Sequence, residues 1–296
     1  MEFTEFIETI IRSLAIGSVY VLVGLGYNTV YAPTNVFNFA QGEFFMFGGV
    51  LAFTLWVTLS LPLPLVVVLV LAAAALLGYF EELVAVKPMG YRTGTIGWML
   101  TCMGFAWIFH SLAQSYWGTA PLKFPAFPGV SLDPLHLWGM LIEPQYLFMI
   151  IVALVVALTL EQFYARTLIG KAMTATAEDR NAASLRGINV ARISGLAFAI
   201  GCALTAIGGL VMAPITFAYV NAGAAGMMKG FIAVAVGGVG NNRGCLVGGF
   251  LLGLLEMFGT RFVPVDYRDT IALGFLLLVL LIRPVGIFGT PSLRRV

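Results

Sequence analysis

Charge is what this 296-residue chain has least of. Asp, Glu, Lys and Arg make up only 10% of it, against roughly a quarter in soluble domains. A water-facing globular surface cannot be built from so few charges. With 60% hydrophobic residues and a mean hydropathy of +0.96, the chain reads as a polytopic membrane protein. The net charge of +2 is too small to argue for a nucleic-acid partner. Cysteine is scarce too. Cys102, Cys202 and Cys245 lie far apart in apolar segments, which excludes a disulfide framework or a metal site and leaves small core residues. Only two histidines occur, His110 and His136, in no HExxH pattern, and there is no Gly-x-Ser-x-Gly elbow. His110, inside an apolar segment, has no evident nucleophile partner for a membrane hydrolase. There is also no Gly-x-x-x-x-Gly-Lys-Ser/Thr phosphate loop, so energy from ATP has to come from another subunit. The N-terminus carries Glu2, Glu5 and Glu8 before its first Arg, unlike a cleaved secretory signal, and reads as a retained first span.

What is abundant is apolar sequence in runs of about 20 residues, the length a bilayer requires. Candidate spans are 11–31, 42–61, 63–84, 95–117, 144–163, 191–213 and 266–283. The region 226–259 is too long for one span. It is split by Gly-Gly-Val-Gly-Asn-Asn-Arg-Gly at 237–244 into two pieces suited to a re-entrant hairpin or broken helices. The fold class expected is therefore all-α and polytopic, a single transmembrane domain over 1–296 with about eight or nine transmembrane or broken helices.

Positive residues set the orientation. With the polar loop 164–192 inside and 226–259 as a hairpin, eleven Lys and Arg fall inside, among them Arg92, Arg166, Lys171, Arg180, Arg192, Arg243, Arg294 and Arg295. Four fall outside: Lys123, Lys229, Arg261 and Arg268. This puts the N-terminus outside and the C-terminus in the cytoplasm. Residues 14–34 and 196–216 both end glycine-rich spans in an Ala-Pro sequence, one running inward and the other outward. An inverted-repeat transporter reads this way, with chance as the competing reading. Ala197, Gly201, Thr205, Gly209 and Ala213 recur every four residues, as do Gly240, Gly244 and Gly248, and Gly249 with Gly253. Such stripes allow close helix packing.

Between the first two spans, Pro33, Asn35, Asn38, Gln41 and Glu43 interrupt the apolar sequence with no Lys or Arg among them. Lipid does not tolerate unpaired polar groups, so this stretch has to face protein or a water-filled pathway. It marks the candidate translocation pathway. Glu43 reads either as a gating group or as an N-terminal helix residue favoured by the dipole. Asn35, Asn38 and Gln41 read as helix-bridging residues or as partners of a passing zwitterion. Glu256 needs a partner within its apolar run, with Arg261 the candidate. Lys229 is expected to snorkel to the headgroups and Arg243 to anchor the hairpin turn on the inner side.

The loop 164–190 has helical composition, with Asp179 before a short second helix at 180–186 and Gly187 as a stop. One or two short surface helices there would present Met173, Leu185 and several charges to a partner. The alternative is a helix lying on the lipid headgroups.

Several segments together identify a family. Asn38-Phe39-Ala40-Gln41-Gly42-Glu43, Gly170-Lys171-Ala172-Met173, Glu178-Asp179 and Leu185-Arg186-Gly187-Ile188-Asn189 run in order along the chain. Gly237-Gly238-Val239-Gly240, Tyr267-Arg268-Asp269 and Arg283-Pro284-Val285-Gly286-Ile287-Phe288-Gly289 follow. In these the sequence resembles the shorter permease subunit of branched-chain amino-acid ABC importers, relatives of the urea and amide permeases. It departs at Gln41, where the family commonly has His. The resemblance implies an inner-membrane permease acting with a second permease subunit, two ATPase subunits that bind the ATP, and a periplasmic substrate-binding protein. It assigns ATPase coupling to Gly170, Lys171, Glu178, Asp179, Arg186 and Gly187, and implies no cofactor in this chain. A secondary transporter or channel for small polar solutes is the alternative, and it would have no need of the coupling helices.

Overall fold

The computed structural model describes residues 3–90, 97–131, 133–137 and 140–289. Glu2, Arg92, Arg294 and Arg295, which entered the charge argument, lie outside them. The architecture is all-α. The helices are α1 (Phe3–Thr34), α2 (Gln41–Phe53), α3 (Leu63–Glu81), α4 (Gly97–Trp117), α5 (Pro144–Arg166), α6 (Leu168–Glu178), α7 (Arg180–Leu185), α8 (Val190–Thr216), α9 (Ala222–Gly237), α10 (Asn242–Gly259) and α11 (Arg268–Ile282). Short π-helical turns extend α2 over Thr54–Thr58 and α3 over Glu82–Val86. A small hairpin, β1 (Leu135–Leu137) with β2 (Met140–Ile142), lies in the connection before α5.

Every expected span finds a helix. Among the described residues four are long and apolar enough to cross a bilayer alone: α1, α3 with its extension, α5 and α8. Helix α4 has the length but carries His110, Gln114 and several hydroxyls, and α11 has only 15 residues. The α9–α10 pair bends by 119° at the glycine-rich break. Gly238 and Gly240 there have φ of +111° and +83°, which side-chain-bearing residues rarely adopt. Of the pair, α10 reaches further than a half-span. It runs antiparallel to α1, from the Gly240 amide on the Asn28 Oδ1 at one end to Arg261 beside Thr9 at the other. Those positions on α1 span about 28 Å, close to the hydrocarbon thickness.

The glycine contacts between helices come in matched pairs. Gly249 of α10 packs on Gly17 and Val21 of α1, and Gly78 of α3 packs on Phe198 and Cys202 of α8. Gly42 of α2 packs on Gly223 of α9, each against the other's carbonyl. Gly17, Val21, Pro33 and Gly42 correspond to Phe198, Cys202, Pro214 and Gly223 at a constant separation of 181 positions. The Gly42–Gly223 contact thus joins equivalent positions of the two stretches, while the glycines packed on them, Gly78 and Gly249, are 171 positions apart. Helices α1 and α8 cross antiparallel, with Gly26 against Gly201 and Thr205. The small-residue stripe of α8 is what lets α1 and α2 approach. A methyl group on Gly209 would overlap the Phe45 carbonyl.

Three expectations about charged and apolar residues are corrected. Lys229 does not snorkel: it is 4% exposed and pairs with Glu256 and with Asp269 (2.7 Å). Glu256 is fully buried and takes Lys229, Arg268 (2.8 Å) and the Tyr20 hydroxyl (2.7 Å) as partners, while Arg261 turns instead to Thr9. The helix bend brings α9, α10 and α11 together, and sequence distance along α10 gave no hint of it. Met173 is 1% exposed and packs inward on Ile193 and Ala197, so of the two expected apolar residues Leu185 alone is presented to water.

Candidate functional site

The polar stretch after α1 folds back into the bundle. Helix α1 ends at Thr34, yet Gln41 at the start of α2 lies against Gly26, about 12 Å back along α1. Asn35 makes the reversal with φ +53°, an αL conformation that Asn tolerates better than most residues. Asn38 then holds the loop. Its Oδ1 accepts from the Ala40 amide (2.7 Å), and its Nδ2 donates to Glu81 Oε2 of α3 (2.8 Å). Gln41 Nε2 donates to the Gly201 carbonyl (2.9 Å) and to Thr205 Oγ1 (2.5 Å), both on α8. Asn38, Gln41 and Glu81 are fully buried, so backbone at membrane depth is covered by protein, as the bilayer demands. Glu81 Oε1 and Gln41 Oε1 accept no hydrogen bond among the described residues.

Glu43, two residues on, stands in the first turn of α2, and its carboxylate meets His110 of α4: Nδ1 and Oε2 are 3.1 Å apart. The pair opens onto a cavity of about 390 Å³ between α2, α4 and α9, within the range of small-molecule sites (about 300–1,000 Å³). Phe39, Met103, Trp107 and Met227 give it apolar walls, and Asn221 adds a second polar group. Gly42 and Gly223, where α2 meets α9, form part of its lining. A carboxylate and an imidazole in an apolar recess can exchange a proton or engage a charged amino group. Sequence reasoning left His110 without a partner because Glu43 is 67 positions away.

The loop segment folds as two short helices. Thr167 caps α6 by accepting from the Gly170 amide (2.9 Å), and Gly170 is buried under the last turn of α5. Asp179 caps α7, accepting from the Asn181 and Ala182 amides at 2.8 and 3.0 Å. Gly187 ends it with φ +84°. Lys171, Glu178, Asp179, Arg186 and Gly187 face water, as do Leu168 and Leu185, which are 86% and 89% exposed. Arg180 was not singled out from the sequence. Its guanidinium donates to the Pro33 carbonyl (2.7 Å) and to Ser194 Oγ of α8 (3.4 Å). It thereby links α7 to the end of α1, at the entry to the re-entrant loop. Glu81 was missed as well. Two adjacent acids, Glu81-Glu82, at the end of an apolar run were the available signal.

A multi-helix membrane bundle with an inverted repeat and a polar loop at depth defines a transporter. Residues 9–281 match the family described as branched-chain amino acid transport system / permease component, and the chain belongs to that family. It is 31% identical to the high-affinity branched-chain amino acid transport system permease protein BraD of Pseudomonas aeruginosa, over 100% of this chain and 99% of that one. Identity to LivH of Escherichia coli, of the same description, is 28% over the same shares. A probable LivH of Methanocaldococcus jannaschii is 26% identical over 91% and 88% of the two chains. Among solved structures, PsaBC from Streptococcus pneumoniae in complex with Fab superposes with a TM-score of 0.50, covering 97% of this chain and 95% of that one. At 13% identity this is a likeness of fold alone.

Proposed function

We propose that this chain is the inner-membrane permease subunit of an ATP-driven importer for branched-chain or related amino acids, its pathway running past Glu43. The observation that carries the reading is the Glu43–His110 pair on a cavity where α2 meets α9. In an inverted-repeat carrier the solute passes where the two halves meet. The apolar walls suit an aliphatic side chain, and the carboxylate suits its ammonium group. Asn35, Asn38 and Gln41 shape the loop that presents Glu43, and Pro33 joins that loop to α7 through Arg180.

A second permease subunit would close the cavity past Trp107, which is 68% exposed at its edge. Of two ATPase subunits below the permease pair, one would receive α6 and α7 of this chain in a groove, with Gly170 setting the α5–α6 angle. Lys171, Glu178, Asp179, Arg186 and Gly187 would supply the contact surface, with Leu168 and Leu185 as its apolar anchors. A periplasmic binding protein would deliver solute from the side of the N-terminus. The chain acts as one domain. The α6–α7 segment favours this reading over a secondary transporter, which has no motor to receive.

The test is reconstitution. This chain alone in liposomes should sustain no uphill flux of leucine, and the full assembly with binding protein and ATP should concentrate it. Accumulation by the chain alone would sink the proposal.

A further inference from the structure

A second cavity, of about 480 Å³, lies on the side of the bundle that carries α6 and α7. It sits between the second half of α1, the end of α5, α6 and the α9–α10 turn. One wall is apolar, with Ala157, Met173 and Leu246. The rim holds opposite charges, Arg243 on the turn and Glu161 on α5, which pair across the mouth while 79% and 48% exposed. Asn28 forms part of the lining. It is 1% exposed, and its Oδ1 accepts from the Gly240 amide (2.9 Å), which ties α1 to the α9–α10 turn at the back of the cavity.

Resting on the reading that the transported solute is a branched-chain amino acid, we infer that this cavity is a second, regulatory site for that class of solute, filled from the cytoplasm. An α-amino acid matches its parts. The carboxylate would take Arg243, the ammonium would take Glu161, and the side chain would lie on the apolar wall. The exposed Arg243–Glu161 pair holds little energy of its own, so a zwitterion can replace it with two contacts of the same kind. Because α6 contributes Met173 and Thr174 to the lining, an occupant ties the coupling segment to α1 and to the α9–α10 turn. It binds one arrangement of the coupling segment better than others and so slows transport as solute accumulates inside.

The experiment uses the assembled transporter in nanodiscs without its binding protein, with radiolabelled leucine as probe. Saturable binding is expected, weakened at least tenfold by Arg243→Gln, which removes the carboxylate's partner, and by Ala157→Leu, which fills the wall. In proteoliposomes, leucine loaded on the α6–α7 side should slow uptake severalfold relative to empty vesicles of the same protein, and the loaded-to-empty ratio should approach one in both variants. No saturable binding, or the same binding and the same ratio in wild type and both variants, overturns the inference. Failure of the functional reading looks different: wild-type assembly with its binding protein would take up no leucine even into empty vesicles.

Discussion

Arg180 of α7 donates a 2.7 Å hydrogen bond to the carbonyl of Pro33, 147 positions earlier, where α1 gives way to the loop that carries Asn38, Gln41 and Glu43. The same guanidinium reaches Ser194 of α8, so Arg180 ties α7 both to the start of the re-entrant loop and to α8. Arg180→Ala should cut ATP-driven uptake about tenfold or more, since a hydrogen bond from a charged donor is worth about 1.5–3 kcal/mol. ATP hydrolysis by the assembly should persist. Parallel assays of hydrolysis and uptake check this, and equal loss of both would assign Arg180 to assembly instead.

The Glu43–His110 pair separates a pathway role from a structural one. His110→Ala leaves the carboxylate in an apolar recess without its partner, and Glu43→Ala leaves the imidazole likewise. Each should lower leucine uptake about ten- to hundredfold, on the same free-energy scale. The amount of assembled complex recovered should stay near that of the wild type. Uptake that falls only in proportion to assembled complex would make the pair a helix clamp.

The cluster of Lys229, Glu256, Arg268, Asp269 and Tyr20 gives a stability prediction. Lys229→Met leaves the fully buried Glu256 with one fewer cation and should destabilise the chain by about 3–5 kcal/mol. The double variant Lys229→Met/Glu256→Leu should recover much of that loss, because the carboxylate left without Lys229, Asp269, is 65% exposed and water solvates it. Thermal unfolding in a fixed detergent compares them, and additive losses in the double variant would refute the pairing.

Gly209→Ala places a methyl group against the Phe45 carbonyl and should cost about 1–3 kcal/mol of overpacking. Gly104→Ala is the control, since nothing lies within 4 Å of a methyl there. A thermal midpoint lowered only in the first variant is the expected result.

Most of the fold was legible because the bilayer enforces it. Long apolar runs must be helices, and each expected span from 11–31 to 266–283 coincides with one. The α6–α7 caps were legible too, since Asp179 and Gly187 act on their immediate neighbours. What escaped were pairings between helices. His110 with Glu43, Arg180 with Pro33, Glu81 with Asn38, and Lys229 with Glu256 are joined by tertiary packing, for which spacing along one helix is no guide. Arg261 looked right for Glu256 on sequence distance, but the bend at 238–241 and the return through α11 put Lys229 and Arg268 closer. The stretch 33–43 announced itself by composition. Which of its residues are enclosed and which face a cavity was decided by the backbone doubling back beneath the end of α1.

The touching glycines at positions 42 and 223 occupy a special place. Each faces the other's carbonyl, so neither has room for a side chain unless α2 and α9 separate. A side chain added at either glycine would therefore press the two helices apart and widen the recess beside Glu43.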